Sequence, residues 1–130
     1  MSAFVDSNVL VRHLVGDPPE LANRATTYLQ SEPELFVADL VVAETVHVLE
    51  SVYEIGRTQI CEAMRALIVM ESVQVVDAHL LHRAIEIYEF EPLDFAESYL
   101  IACAESTGVA HIASFDQSLD AMSSVTRVAP

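Results

Sequence analysis

Carboxylates recur in this chain at positions where a catalytic or metal site would want them. Asp6 directly follows the apolar run Ala3-Phe4-Val5, in Phe4-Val5-Asp6-Ser7-Asn8. Asp116 directly follows another such run, in Ile112-Ala113-Ser114-Phe115-Asp116. Each is also an ordinary helix N-cap residue, so either alone carries little. Together, at the ends of strands that could be neighbours, they ask for more. Glu44 lies in mid-helix, within Leu40-Val41-Val42-Ala43-Glu44-Thr45-Val46-His47-Val48. Its neighbours three and four positions away are Leu40, Val41, His47 and Val48, and an acid among such residues is expected to be paired or to hold a metal. Asp94 and Glu97, in Leu93-Asp94-Phe95-Ala96-Glu97-Ser98, share a face at the start of a helix. The same spacing is that of a capping box. Leu93, Leu100 and Ile101 around Glu97 point it toward the interior.

Converging acids have an electrostatic cost. Two carboxylates about 4 Å apart repel by roughly 4 kcal/mol at an effective dielectric of about 20. The chain has 20 acidic residues against 6 basic ones, and all six of the latter are arginines. Three or four gathered acids therefore need either protons or a cation. A divalent metal is the simplest remedy, and an all-oxygen donor set suits Mg²⁺ or Mn²⁺ rather than Zn²⁺. The chemistry that carboxylate-held Mg²⁺ serves is phosphoryl transfer. Other chemistry-bearing residues are weaker. His79 and His82 sit three apart on one helix with no third ligand in reach by sequence. His47 and His111 read as packed or structural residues. Arg12 and Arg83 are phosphate-contact candidates only because positive charge is scarce, and surface ion pairing is the better expectation for both.

The elements that must position these side chains are legible from breaks and periodicity. Gly16-Asp17-Pro18-Pro19, Ser31-Glu32-Pro33, Gly56, Glu91-Pro92 and Thr107-Gly108 divide the chain. Strands are expected at Ala3-Phe4-Val5, Leu35-Phe36-Val37, residues 73–76, residues 109–115 and residues 125–128. A helical run is expected through Val9, Leu10, His13 and Leu14, with further helices from Pro18 to Gln30, from Asp39 as N-cap to about Tyr53, and from Arg57 to Met70. Two more run from Asp77 as cap to about Phe90, and from Leu93 to Ser106 with Gly108 as the C-cap signal. Strands alternating with helices imply parallel crossovers, with ligands bound beyond the carboxyl ends of the strands. Residues 1–130 read as a single domain. It has enough length to bury a core without disulfides, and Cys61 and Cys103 sit inside apolar helical patterns as in a reducing cytoplasm.

Composition closes off several functions. A chain without lysine has no Schiff-base amine, no Walker-type phosphate loop and no receiver-domain lysine. A net charge of -14 excludes a basic stripe that binds nucleic acid by counterion release alone, and the absence of tryptophan argues against a broad base-stacking platform. The start Met1-Ser2-Ala3-Phe4 carries no basic segment and no long apolar run, so no signal peptide or membrane span is expected.

The four acidic stretches, in this order and spacing, resemble the PIN-domain ribonucleases, and specifically the VapC-type toxins of toxin–antitoxin pairs. The resemblance covers essentially the whole chain. It rests on Phe4-Val5-Asp6-Ser7-Asn8-Val9-Leu10-Val11, on Val42-Ala43-Glu44-Thr45-Val46, on the helix start from Leu93 to Ala102, and on Ile112-Ala113-Ser114-Phe115-Asp116. It implies an α/β, three-layer PIN-like fold, with a short, mostly parallel central sheet of four to five strands covered by helices on both faces. It implies a cytoplasmic Mg²⁺-dependent (or Mn²⁺-dependent) endoribonuclease acting on RNA such as tRNA or rRNA. Asp6, Glu44, Glu97 and Asp116 match the family's acidic set, Asp94 is a nearby auxiliary metal ligand, and Asn8 and Ser114 match supporting positions. By the same resemblance, metal-activated water attacks the phosphorus in line, leaving 5′-phosphate and 3′-hydroxyl ends. The implied partners are the RNA substrate, a cognate antitoxin and a second copy of the chain in a homodimer. The family usually has Asp where this chain has Glu97, one methylene longer. That departure motivates the alternative of a catalytically weak PIN fold acting as an RNA-binding or assembly subunit.

Overall fold

Alternation of short apolar runs with amphipathic stretches produces alternating strands and helices. The computed structural model describes every residue from Met1 to Pro130 and divides into two units, Met1–Val76 and Asp77–Pro130.

The first unit runs β1 (Ala3–Phe4), α1 (Ser7–Val15), α2 (Pro19–Ser31), β2 (Leu35–Phe36), α3 (Asp39–Ser51), α4 (Arg57–Ile68) and β3 (Val73–Gln74). Its strands form a parallel ladder in the order β1-β2-β3, with Ala3 opposite Leu35 and Leu35 opposite Val73. The ladder is longer than the strands suggest. Val5 N–H donates to the Phe36 carbonyl at 2.9 Å, and Val37 N–H donates to the Gln74 carbonyl at 3.0 Å. Leu35 and Val37 are buried, and so are Leu10 of α1, Leu29 of α2, Val42, Val46 and Leu49 of α3, and Ile60 and Met64 of α4. Ser72 is a buried polar residue whose hydroxyl donates to the Leu29 carbonyl at 2.7 Å. That bond satisfies its polar group inside the unit.

The second unit contains α5 (Ala78–Phe90), α6 (Phe95–Thr107), β4 (His111–Ala113), a 3₁₀ helix (Gln117–Ala121) and β5 (Thr126–Val128). β4 and β5 pair in parallel, with Ile112 opposite Arg127. α5 and α6 pack against each other. Among their buried residues are Leu81, Ile85, Tyr88, Phe95 and Ile101, with the Tyr88 and Phe95 rings edge to face at 5.9 Å. Asp77 caps α5 by accepting from Leu80 N–H at 3.0 Å. α6 ends where Gly108 turns left-handed, at φ +75°, a conformation costly to any residue with a Cβ.

The α/β class, the parallel pairing and all five strands agree with expectation, although each ladder is shorter at its ends than the apolar runs implied. The cap of α3 differs. Ala38 occupies that position and Asp39 is the first helical residue. The 3₁₀ helix after Asp116 was not anticipated. No helix is long and apolar enough to cross a membrane.

Candidate active site

In the first unit, β1 delivers Asp6 to the N-terminus of α1, where it occupies the cap position without making a side-chain cap bond. Its carboxylate is thus not consumed by the helix it precedes. Asp6 and Asn8 are both exposed, while Ser7 between them is buried. Both line a cavity of about 690 Å³ bounded by α1 and α2, together with Arg12 and Arg24.

Glu44 departs from its expected setting. The buried stripe of α3 is Val42, Thr45, Val46 and Leu49, so the helix turns Glu44, Leu40 and His47 outward. Leu40 is 79% exposed, so it does not enclose the acid. Glu44 is an exposed carboxylate rather than one embedded in an apolar face. The helix is apolar on almost every side, and counting neighbours could not identify which side packs. Thr45 marks the buried side, and its hydroxyl is satisfied by the Val41 carbonyl at 2.7 Å.

In the second unit the acids are closely organised. Asp94 caps α6 by accepting from Glu97 N–H at 2.7 Å, and Glu97 Oε1 accepts from Asp94 N–H at 3.1 Å. The capping box weighed from sequence is therefore present. Glu97 is half-buried, with Leu93 and Ile101 buried beside it but Leu100 47% exposed. Its other oxygen, Oε2, accepts from the Ser118 hydroxyl. Ser118 is also tied to Asp116, whose Oδ1 accepts the Ser118 N–H at 2.9 Å. One serine thus links two carboxylates that lie 19 positions apart in sequence. Ser114, at the end of β4, accepts from Asp116 N–H at 3.0 Å and fixes the turn that presents Asp116. The Ser118 backbone N–H holds the Asp116 carboxyl below its ordinary value, and the Ser118 hydroxyl, Glu97 and Arg127 act in the same direction. Arg127 is anchored by bonds to the Ser114 carbonyl and the Asp120 carboxylate.

Ser118 is the site residue that sequence reasoning missed. Its only signal was its place two residues after Asp116, as in an Asx-type turn. The expected surface or core-edge setting of His79 and His82 and the ion pairing of Arg83 agree with the structure, whereas His47, expected to be packed, is exposed on the outer side of α3, and His111 is exposed on β4. His79 and His82 line a separate cavity of about 410 Å³ between α5 and α6. Arg83 there is committed to Glu105, at 2.6 and 2.9 Å, and to Glu86. Within either unit, no three His, Cys, Asp or Glu side chains gather closely enough to hold a metal ion.

A family model described as the PIN domain matches residues 3–124, a span that runs through both units. The chain belongs to the PIN domain family. Among solved structures, it is similar to that of Mycobacterium tuberculosis VapC20, a sarcin-ricin loop cleaving toxin. The two are 20% identical over 92% of this chain and 93% of that one, with a TM-score of 0.43. No curated protein matches the chain.

Proposed function

We propose that this chain is a metal-dependent endoribonuclease, the toxin of a type II toxin–antitoxin pair, acting as one PIN domain over residues 1–130. Membership of the PIN family supports the reading, and the observation that carries it is the joint tethering of Glu97 and Asp116 by Ser118. Two carboxylates held on one serine, Glu97 by its hydroxyl and Asp116 by its N–H, are oxygen donors of the kind such a site needs. Asp6, uncommitted to its helix, and the exposed Glu44 supply acids of the same kind from the first unit.

The donor chemistry fits a hard divalent cation, Mg²⁺ or Mn²⁺. Asp6, Glu44, Glu97 and Asp116 are the proposed holders, with Asp94 as an auxiliary. The hydrogen bonds from Asp94 and Ser118 still leave lone pairs on the Glu97 carboxylate. When bound, the cation supplies an activated water and neutralises charge on the phosphoryl oxygens. The protein's own contribution is positional. Ser118 and Ser114 fix Asp116, the capping box fixes Glu97, and Asn8, on the same cavity as Asp6, is the proposed support for Asp6. Glu44 accepts the proton of the attacking water.

RNA such as tRNA or rRNA is the proposed substrate, a cognate antitoxin the proposed regulator, and the homodimer the proposed assembly, in the cytoplasm. A cleavage assay on total RNA with Mg²⁺, with EDTA and with Asp6→Ala tests the activity. Cleavage is expected only for the unaltered chain with metal, and equal cleavage by Asp6→Ala refutes the reading. One observation favours a second reading, a catalytically weak PIN fold that binds RNA or assembles with partners. Both oxygens of Glu97 already serve structural bonds. Tight Mn²⁺ binding without RNA cleavage would support it.

A further inference from the structure

We infer that the groove between α1 and α2 is a track for single-stranded RNA, with Arg12 and Arg24 on phosphates and Tyr28 against a base. This rests on the ribonuclease reading and names how that substrate is held. The groove, about 690 Å³ in volume, is lined by Phe4, Asp6, Asn8, Arg12, Arg24 and Tyr28 among others. Helical spacing builds it. Asn8 and Arg12 are four apart on α1, and Arg24 and Tyr28 are four apart on α2, so each pair lies along one face.

The state of the arginines is the main argument. In a chain with 20 acids and six arginines, ion pairing is the default for any guanidinium. Arg83 is bound to Glu105 and Glu86, and Arg127 to Asp120. Arg57 and Arg65 also have partners. Arg12 instead donates one nitrogen to the Asp17 carbonyl, at 3.1 Å, and meets no carboxylate. Arg24 is exposed and has neither a hydrogen bond nor an ion pair in the chain. Two guanidiniums that meet no carboxylate, those of Arg12 and Arg24, thus line the same groove. A planar guanidinium fork matches a phosphate bidentately.

Aromatic surface accompanies the charge. Phe4 is 78% exposed and Tyr28 39% exposed, both on this groove. Free positive charge together with exposed aromatic side chains is the combination that holds unpaired nucleotides. An acidic protein segment would use the arginines but has no need of the rings. Asp6 at the end of the groove would repel a phosphate by itself. Under the ribonuclease reading it is a metal ligand, and the groove then leads the strand to the cation.

The test is fluorescence anisotropy of a labelled uridine dodecamer with the full chain in EDTA, across a salt series, so that no cleavage is required. Each phosphate contact on a single strand adds about 0.7 to the slope of log affinity against log salt. Arg12→Gln with Arg24→Gln is expected to lower that slope by about 1.4 and to weaken binding roughly tenfold. The Arg12→Lys, Arg24→Lys pair, which keeps both charges, is expected to keep the slope. Tyr28→Ala is expected to weaken binding roughly tenfold at unchanged slope. An unchanged slope in the Gln pair overturns the inference, as does equal loss in the Lys pair. Binding of a polyglutamate peptide as tight as that of RNA, and indifferent to Tyr28→Ala, also overturns it, in favour of an acidic protein partner. RNA cleavage with an unaltered Gln-pair slope removes this inference alone. The expected slopes in a chain that never cleaves RNA remove the nuclease reading alone.

Discussion

Replacing Glu97 separates what its carboxylate does for the fold from what it does for chemistry. Its Oε1 accepts from Asp94 N–H at 3.1 Å, and its Oε2 accepts from Ser118. Glu97→Asp withdraws the carboxylate by one methylene and loses both bonds. Each is worth about 0.5–1.5 kcal/mol net, and Glu97 is only half-buried, so the loss is about 1–2 kcal/mol. For a chain of this length that lowers Tm by roughly 3–6 °C. Glu97→Gln keeps the reach. Its amide oxygen still accepts from Asp94 N–H, as Gln does in capping boxes, and its amide nitrogen can donate to the Ser118 oxygen. Stability should then stay within about 0.5 kcal/mol of the unaltered chain. The charge, however, is gone. If Glu97 holds a cation in the cleavage reaction, Glu97→Gln lowers kcat/KM by at least about 100-fold, the equivalent of roughly 2.7 kcal/mol in the barrier. Glu97→Asp, still charged, should keep activity within about tenfold. The assays are thermal unfolding by circular dichroism and initial rates on a fluorogenic RNA with Mg²⁺. Full activity in Glu97→Gln would reduce Glu97 to a capping residue and remove it from the site. An unchanged Tm in Glu97→Asp would refute the energetic account of the two bonds.

Asp94→Ala removes the α6 cap and should cost about 1 kcal/mol, whereas Asp94→Asn, an equally good cap, should cost only a few tenths. Urea unfolding distinguishes them, and equal losses would assign the effect to charge rather than capping. The Glu105 carboxyl is held below its ordinary 4.5 by its bidentate bonds from Arg83, with the Ser124 hydroxyl adding to them. Because its folded value is the lower one, the stabilisation is complete above about pH 4.5 and is lost as pH falls through the folded value. Glu105→Gln should therefore flatten the acid side of a Tm-against-pH curve, and an unaltered curve would count against the pair. Burial lowers the His13 value below 6.5, and one ring nitrogen lies 2.7 Å from Thr26 Oγ1. Folding thus favours the neutral ring, and its contribution fades as pH falls below about 6.5. NMR titration should give a midpoint for His13 below 6.5, and a midpoint at or above 6.5 would contradict the burial.

Much of the architecture was readable along the chain because its signals are local. Gly108 announces the end of α6, since only glycine adopts that left-handed turn cheaply. Asp77 and Asp94 announce the starts of α5 and α6, since their side chains bond backbone groups three residues on. Asp6 and Asp116 stand out as candidates because in parallel α/β folds ligands bind beyond the carboxyl ends of the strands. The four acidic stretches, in their order, were specific enough to carry the family resemblance, and the match over residues 3–124 agrees with it.

What the chain alone could not decide was orientation and long-range contact. α3 offers apolar residues on nearly every side, so its pattern fits several rotations about the helix axis. Packing chose Val42, Thr45, Val46 and Leu49 as the inner face and turned Glu44 out. Thr45 can be buried because its hydroxyl bonds a carbonyl of its own helix, a choice no hydropathy scale anticipates. The bond between Ser118 and Glu97 spans 21 residues. The unpaired state of Arg12 and Arg24 likewise depends on where every carboxylate ends up. Periodicity describes each segment against itself, whereas these features are relations between segments, which exist only once the chain has folded.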